Sequence, residues 1–227
     1  ALSDGWGGSL IATEVSDILF GVPAPRTTEV NAGVLKADQV NIAVHGHNPV
    51  VSEMVSKACL SPELLGLAKS KGAAGINLVG LCCTGNELLM RRGVSMAGNH
   101  LMTELILTTG AVDMMIVDYQ CIMPSVASVA GCYHTKMIST SDKAQFPGME
   151  HHEFHPDNAE EKAVSVVREA VENFSRRGPV NIPVAPQPAV GGFSVEAILK
   201  ALGGTPAPLL EAIKAGQIRG AAGIVGC

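Results

Sequence analysis

The 227-residue chain is 47% hydrophobic and 16% charged, with a net charge of −5. This composition supplies enough apolar side chains for a buried core and excludes a disordered chain. The acidic balance and the 4% aromatic content exclude a basic nucleic-acid-binding surface and a base-stacking platform, and no apolar run reaches the roughly 18 residues of a membrane helix.

Short runs rich in Val, Ile and Leu alternate with segments of helical periodicity, a pattern typical of a parallel α/β sheet. The predicted strands are residues 40–45, 75–81, 114–118, 136–140 and 223–225. The predicted helices are residues 50–58, 61–71, 85–92, 101–108, 157–176 and 194–202, the last two capped by Asp157 and Ser194. The Pro-rich residues 179–192 are interpreted as a connection. We predict a single α/β domain over residues 1–227, with an open, mostly parallel, Rossmann-like sheet covered by helices on both faces.

Both ends of the chain are unusual. The chain opens at Ala1 without a Met or a signal peptide, and it stops at Cys227, directly after a strand-like segment. We therefore expect a fragment from within a longer, cytoplasmic protein. Disulfides explain the six cysteines poorly, because there is no secretory signal and the apolar content is high.

Cysteine or histidine follows four of the predicted strands. His47 follows the first, Cys82 and Cys83 the second, Cys121 the third and Cys227 the last. Because the carboxyl ends of parallel strands meet at one sheet edge, these side chains are expected to converge on one crevice. Thiolates grouped with an imidazole indicate a metal site. Since no Cys-x-x-Cys pair occurs, the pattern favours a polynuclear cluster over a single zinc ion.

Other interpretations remain open. Cys82 or Cys83, at a strand-to-helix turn, fits a metal-free cysteine hydrolase or transferase that also uses His47 and Glu87. Cysteines that merely pack fit a non-catalytic binding module. His45, two residues before His47, is a second candidate imidazole. The remaining cysteines, Cys59 and Cys132, are interpreted as packing residues.

Four motifs resemble the anaerobic nickel–iron carbon monoxide dehydrogenases. They are His45-Gly46-His47-Asn48-Pro49, Gly80-Leu81-Cys82-Cys83-Thr84-Gly85-Asn86-Glu87, Asp118-Tyr119-Gln120-Cys121 and Gly226-Cys227. In addition, Asp4-Gly5-Trp6-Gly7-Gly8-Ser9 is similar to the start of the middle domain of that family. The resemblance runs along the whole chain in the same order.

This resemblance implies an enzyme that interconverts CO and water with CO2, two protons and two electrons at a nickel–iron–sulfur cluster. It implies that His47 and Cys83 hold a pendant iron. Cys121 and Cys227 are the implied ligands of the iron–sulfur cage.

Two further residues receive catalytic roles from the same resemblance. Cys82 is implied as a neighbouring thiol close to the cluster, and Asp4 as an acidic residue near the pendant iron. His47 is preferred to His45 on the alignment of the motif alone.

The resemblance also implies components outside this chain. These are further 4Fe-4S clusters, a ferredoxin-like electron carrier, a homodimeric parent protein and an acetyl-CoA synthase partner, with no nucleic acid. The cysteine that holds nickel and a catalytic lysine in that family lie beyond the position of Cys227. We therefore expect the 227 residues alone to lack turnover.

Overall fold

An eight-stranded sheet organises residues 1–224, the part of the chain that the computed structural model describes. The strands are β1 (Arg26–Val30), β2 (Val40–His45), β3 (Ile76–Leu81), β4 (Ser95–Gly98), β5 (Val112–Val117), β6 (Lys136–Ser139), β7 (Glu150–His151) and β8 (Gln187–Gly191). Their order is β7-β6-β5-β2-β3-β4-β1-β8. Neighbouring strands pair in parallel, and β8 pairs antiparallel with β1 at the edge. The predicted open, mostly parallel sheet is confirmed.

Helices connect most of the strands. They are α1 (Leu2–Phe20), α2 (Pro49–Cys59), α3 (Pro62–Ser70), α4 (Cys82–Arg92), α5 (Thr103–Thr108), α6 (Ser125–Ala130), α7 (Ala159–Asn173), α8 (Val195–Ala201) and α9 (Ala207–Lys214). Short 3-10 turns cover Ala32–Val34, His100–Met102, Asp142–Ala144 and Phe174–Arg176. The helices predicted from periodicity are confirmed to within a few residues at their ends. No helix in residues 1–224 combines the length and the apolarity that spanning a bilayer requires.

Two neighbouring inner strands, β2 and β5, are buried on both faces. Every residue of β2 and β5 is buried, and successive side chains point to opposite sides of the sheet. Ile42 and Met114 pack in a core with residues of α2, α3 and α7. Ala43 and Met115 pack in a second core with residues of α5 and α6. Helices therefore cover both faces, as predicted.

The Pro-rich stretch over residues 179–192 is not a plain connection, so that prediction is wrong. It contains β8, which lies antiparallel to β1 over its whole length. Proline at position 188 signals irregular structure because it lacks an N–H. An edge strand tolerates that loss, since its outer side needs no hydrogen-bonded partner.

Two smaller predictions also need correction. Gly223 and Ile224 lie in no strand, and position 225 lies outside the described residues. The side chain of Ile224 is 99% exposed, so no burial stabilises the strand predicted there. Asp157 does not cap α7, whose N-cap is Asn158, whereas the hydroxyl of Ser194 caps α8 as predicted.

Helix α1 was not predicted, because its apolar residues follow no single stripe. None of its residues is buried, and its exposed apolar side chains include Leu2, Trp6, Ile11 and Ile18. Apolar residues on all sides of a helix are typical of a helix enclosed by other elements, whereas α1 is not enclosed by the described residues.

The first turn of α4 lies against the end of β3 through two glycines. A Cβ on Gly85 would lie 2.6 Å from the carbonyl carbon of Gly80, and a Cβ on Gly80 would lie 2.4 Å from the Cα of Gly85. Neither position therefore tolerates a side chain without movement of the backbone. This contact fixes where α4 starts.

We expect Gly85→Ala to lower the free energy of unfolding by about 1–3 kcal/mol, because the added methyl meets the backbone of β3. Gly66 in α3 is the matched control, since a Cβ there meets no atom within 4 Å. Gly66→Ala should raise the free energy of unfolding by about 0.5–1 kcal/mol through its better helix propensity. Urea denaturation of both variants measures the difference. A free energy of unfolding equal to that of the wild type in Gly85→Ala would contradict the close contact between Gly85 and Gly80.

Candidate functional site

The path of the chain through the sheet reverses between β2 and β5. From β2 the chain passes to β3 on one side, whereas β5, on the other side of β2, leads to β6. These strands are parallel, so their carboxyl ends share one edge. A crevice outside the carboxyl ends at such a reversal is the usual ligand site of an open α/β sheet. The segments after β2, β3 and β5 carry the predicted ligands His47, Cys83 and Cys121.

The carboxylate of Asp118 joins the segment after β2 to the segment after β5. Asp118 is 2% exposed. Its Oδ1 accepts the His47 N–H at 2.6 Å and the N–H of Tyr119, and its Oδ2 accepts the Asn48 N–H at 2.9 Å. Burial raises the pKa of Asp118, and the three N–H donors oppose that rise because they stabilise the charged form.

Tyr119 orients the imidazole of His47. The Nδ1 atom of His47 lies 3.0 Å from the carbonyl oxygen of Tyr119, and since a carbonyl only accepts hydrogen bonds, Nδ1 carries the proton. The two rings are stacked, with centroids 6.2 Å apart and 18° between their planes. In the neutral ring, Nε2 then keeps the lone pair with which an imidazole binds a metal.

The first turn of α4 is tied to the segment that carries His47. The N–H of Thr84 donates to the carbonyl oxygen of Gly46 at 2.8 Å, and the Thr84 hydroxyl donates to the carbonyl oxygen of Asn48 at 3.3 Å. Cys82 is buried and has a left-handed backbone, with φ 57°. Cys83 is half-buried at the same turn. The sulfur-bearing turn and the histidine segment therefore form one connected unit.

The segment that ends in Cys121 has a strained backbone. Gln120 and Cys121 have φ values of 58° and 57°, in a region that costs residues other than glycine about 1–3 kcal/mol each. The side chain of Cys121 is exposed. Such strain persists only where surrounding contacts enforce it, and it clusters at functional sites.

His45 differs from His47 in its surroundings. It is 0% exposed, and its Nε2 lies 3.3 Å from the hydroxyl of Thr103. Burial lowers the pKa of His45 to about 4, and the nearby His47 and His100 add to this effect. His45 is therefore a neutral core residue at physiological pH, whereas His47 is half-buried.

The structure does not bring every predicted residue to this edge. Asp4 lies in the first turn of α1 with a 93% exposed side chain, and it pairs with the terminal ammonium of Ala1 at 3.5 Å. The place of Asp4 near a pendant iron stays a prediction. Cys227 lies outside the described residues, so its role also stays a prediction. The carboxylate of Glu87 pairs with the buried guanidinium of Arg91.

His47, Cys83 and Cys121 share an edge, but their ligand atoms do not all lie within 4.8 Å of one another. In residues 1–224, three ligand atoms within 4.8 Å of one another occur elsewhere, at β7 and α7. That group consists of Glu150, His152 and Glu169. There the ammonium of Lys136 already pairs with both carboxylates.

Sequence reasoning missed the residues that hold the ligands in place. The pattern assigns no role to Gly46, Asp118 or Tyr119, although these residues stand inside the motifs. A carboxylate directly after a fully buried strand is the signal that could have found Asp118, because a buried charge needs hydrogen-bond partners.

The profile of the Prismane/CO dehydrogenase family matches residues 1–227. The chain belongs to this family. It is 58% identical over 229 residues to carbon monoxide dehydrogenase 1 of Methanosarcina mazei, covering 100% of this chain and 36% of that protein. It is 47% identical over 235 residues to carbon monoxide dehydrogenase 1 of Carboxydothermus hydrogenoformans, again with 100% and 36% coverage. The chain therefore spans about a third of the length of these relatives.

Solved structures show the same fold. A nickel-free carbon monoxide dehydrogenase from Thermococcus sp. AM4 superposes with a TM-score of 0.94 and 54% identity, over 96% of this chain and 35% of that chain. An acetyl-CoA synthase/carbon monoxide dehydrogenase, described with NiZn[Fe4S4] and NiNi[Fe4S4] clusters in its alpha subunits, gives a TM-score of 0.88 and 47% identity. That match covers 94% of this chain and 33% of that chain. The fold of this chain is thus shared with these carbon monoxide dehydrogenases.

Gly46 tests the contact between the histidine segment and Asp118. Its φ is +130°, and a Cβ would lie 2.0 Å from Oδ1 of Asp118. Gly72 also has a positive φ, +89°, but a Cβ there meets no atom within 4 Å. We expect Gly46→Ala to lose about 1–3 kcal/mol more free energy of unfolding than Gly72→Ala, because only the first substitution meets the carboxylate. Chemical denaturation measures both, and equal losses would argue against this contact.

Proposed function

We propose that this chain is the active-site domain of a carbon monoxide dehydrogenase and part of a longer polypeptide. In this proposal it supplies ligands to a nickel–iron–sulfur cluster that interconverts CO and water with CO2, two protons and two electrons. The observation that carries the proposal is the placement of His47, Cys83 and Cys121 after three adjacent parallel strands, in a chain that belongs to the Prismane/CO dehydrogenase family.

The donor set fits such a cluster. Thiolate sulfur is the usual ligand of iron–sulfur clusters, and a histidine replaces a cysteine on iron in some of them. The Nδ1–H of His47 is held by a backbone carbonyl, which leaves Nε2 for a metal.

In this proposal each ligand has its own part of the cluster. His47 and Cys83 hold the pendant iron, and Cys121 and Cys227 hold irons of the cage. Hydrogen bonds from Thr84 to the carbonyl oxygens of Gly46 and Asn48 support the pairing of His47 with Cys83, because they connect the two segments directly. Cys82 and Asp4 are proposed as neighbouring residues beside the cluster.

The cluster, when bound, supplies the Lewis-acid and redox chemistry of the reaction. The described residues hold the ligand side chain of His47 in position. Asp118 fixes the backbone of His47, and the carbonyl of Tyr119 fixes the protonated nitrogen of its ring. The ring of Tyr119 stacks against the imidazole and limits its rotation. The parent enzyme is proposed to be an anaerobic, cytoplasmic homodimer that passes electrons to a ferredoxin-like carrier, with acetyl-CoA synthase as a further partner.

The cysteine hydrolase hypothesis receives less support from the geometry. The carboxylate of Glu87 is bound by Arg91, and the Nδ1–H of His47 is bound by a carbonyl. Glu87 therefore does not orient His47 as the base of a nucleophilic cysteine, a role that would need a hydrogen bond between these two side chains.

We expect Cys83→Ala and Cys121→Ala, made in the longer polypeptide, to lower CO oxidation at least about tenfold, because each removes a cluster ligand. Nickel and iron content, measured by mass spectrometry after anaerobic purification, should fall with activity. Cys132→Ala is the matched control. Cys132 is exposed in the turn after α6, where its thiol donates to the carbonyl oxygen of Ser128, so metal content and activity should stay unchanged.

A wild-type polypeptide without nickel would contradict the proposed function. So would full CO oxidation in Cys83→Ala. Unchanged metal content in a Cys83 and Cys121 double variant would favour the non-catalytic binding module. The 227 residues alone are expected to show no turnover in the same assay.

A further inference from the structure

We propose that Asp118 is the positioning residue that sets the place and the tautomer of His47 and aligns the segment that ends in Cys121. This inference rests on the proposed function for its consequence at the cluster. Its structural part concerns contacts within this chain and holds for the metal-free protein as well.

The first observation is the set of partners of the carboxylate. The 2% exposed side chain of Asp118 accepts three backbone N–H groups. Two come from His47 and Asn48 in the segment after β2, and one comes from Tyr119 in its own segment. No lysine or arginine side chain among residues 1–224 pairs with it. Because a buried carboxylate without a cation depends on its N–H donors, these three groups are held close to it.

The second observation is the shape of the segment above the carboxylate. Gly46 has a φ of +130°, and a Cβ at this position would lie within 2.0–2.7 Å of the carboxylate atoms of Asp118. The backbone of residues 46–48 therefore wraps directly over the carboxylate. A side chain at position 46 would overlap with the carboxylate of Asp118, and glycine avoids this overlap.

The third observation connects the backbone contact to the imidazole. Since the N–H of His47 is fixed on Asp118, its ring meets the next residue of the other segment, Tyr119. The Tyr119 carbonyl accepts the proton on Nδ1 at 3.0 Å, and its ring stacks at 6.2 Å. An imidazole in water prefers the proton on Nε2, so the Nδ1–H form at this position is imposed by the protein.

The fourth observation extends the effect to a sulfur. Only Tyr119 and Gln120 separate Asp118 from Cys121, and both Gln120 and Cys121 have left-handed backbones. Such conformations are kept by the contacts around them. The hydrogen bond from the Tyr119 N–H to Asp118 is the contact at the start of this turn. Loss of the carboxylate therefore releases both the histidine and the cysteine.

The test is Asp118→Asn, which keeps the shape but replaces one acceptor oxygen by an NH2 group that faces N–H donors. Asp157→Asn is the matched control, because Asp157 is exposed. Histidine-labelled protein is studied by nitrogen NMR at a pH of about 8.5, roughly two units above the ordinary imidazole pKa. His47→Gln identifies the signal of His47.

We expect the wild type and Asp157→Asn to show His47 with its proton on Nδ1. Asp118→Asn should show the mixture of a free imidazole, with Nε2–H in the majority. In the metal-loaded longer polypeptide, a chelator should remove iron from Asp118→Asn about tenfold or more faster than from the wild type. Asp157→Asn should lose iron at the wild-type rate.

Three outcomes would overturn the inference. They are a wild-type His47 with its proton on Nε2, an Asp118→Asn variant that keeps the Nδ1–H form, and wild-type iron retention in that variant. The first needs no variant, so it decides even if Asp118→Asn does not fold. A wild-type polypeptide that binds no nickel or iron would instead contradict the proposed function, and the NMR comparison would still decide whether Asp118 positions His47.

Discussion

The parallel register of β2 with its two neighbours is the constraint on which the candidate site depends. His45, the last residue of β2, is aligned with Leu81 at the end of β3 and with Val117 at the end of β5. Three segments therefore leave the sheet at the same level. Hydrogen bonds from Thr84 to Gly46 and from His47 to Asp118 form because of this alignment. A shift of one residue would separate these segments and turn every strand side chain to the other face.

The central part of the fold was predictable because its signal is strong. Strands such as β2 and β5 are buried on both faces, so they appear in the sequence as continuous apolar runs. The edge strand β8 was not predictable in the same way. Strand β8 contains a proline and three exposed positions, and only its pairing with β1 makes it a strand. Helix α1 was missed for a related reason, since an amphipathic stripe is the signal by which helices are found.

The residues of the candidate site also differ in how far the sequence predicts them. His47, Cys83 and Cys121 were predictable, because cysteine and histidine after successive strands point to one edge and the motifs resemble a known family. The residues that position them were not. Asp118 acts through backbone N–H groups of a distant segment, and nothing in the local sequence shows which N–H groups a carboxylate meets. Asp4 and Cys227 remain predictions, the first without a contact to the other ligands and the second outside the described residues.

Arg91 connects the N-terminal helix α1 to α4, the helix that carries Cys82 and Cys83. Its side chain is 3% exposed and binds Asp17 at 2.6 Å and the carbonyl oxygen of Gly21 at 2.7 Å, both at the end of α1. Leaving a buried guanidinium without such partners costs about 3–5 kcal/mol, so these contacts hold the end of α1 against α4. Arg91 lies about 14 Å along α4 from Cys82. Because α4 begins with Cys82 and Cys83, the contacts of Arg91 attach the end of α1 to the same helix that presents the two sulfur atoms.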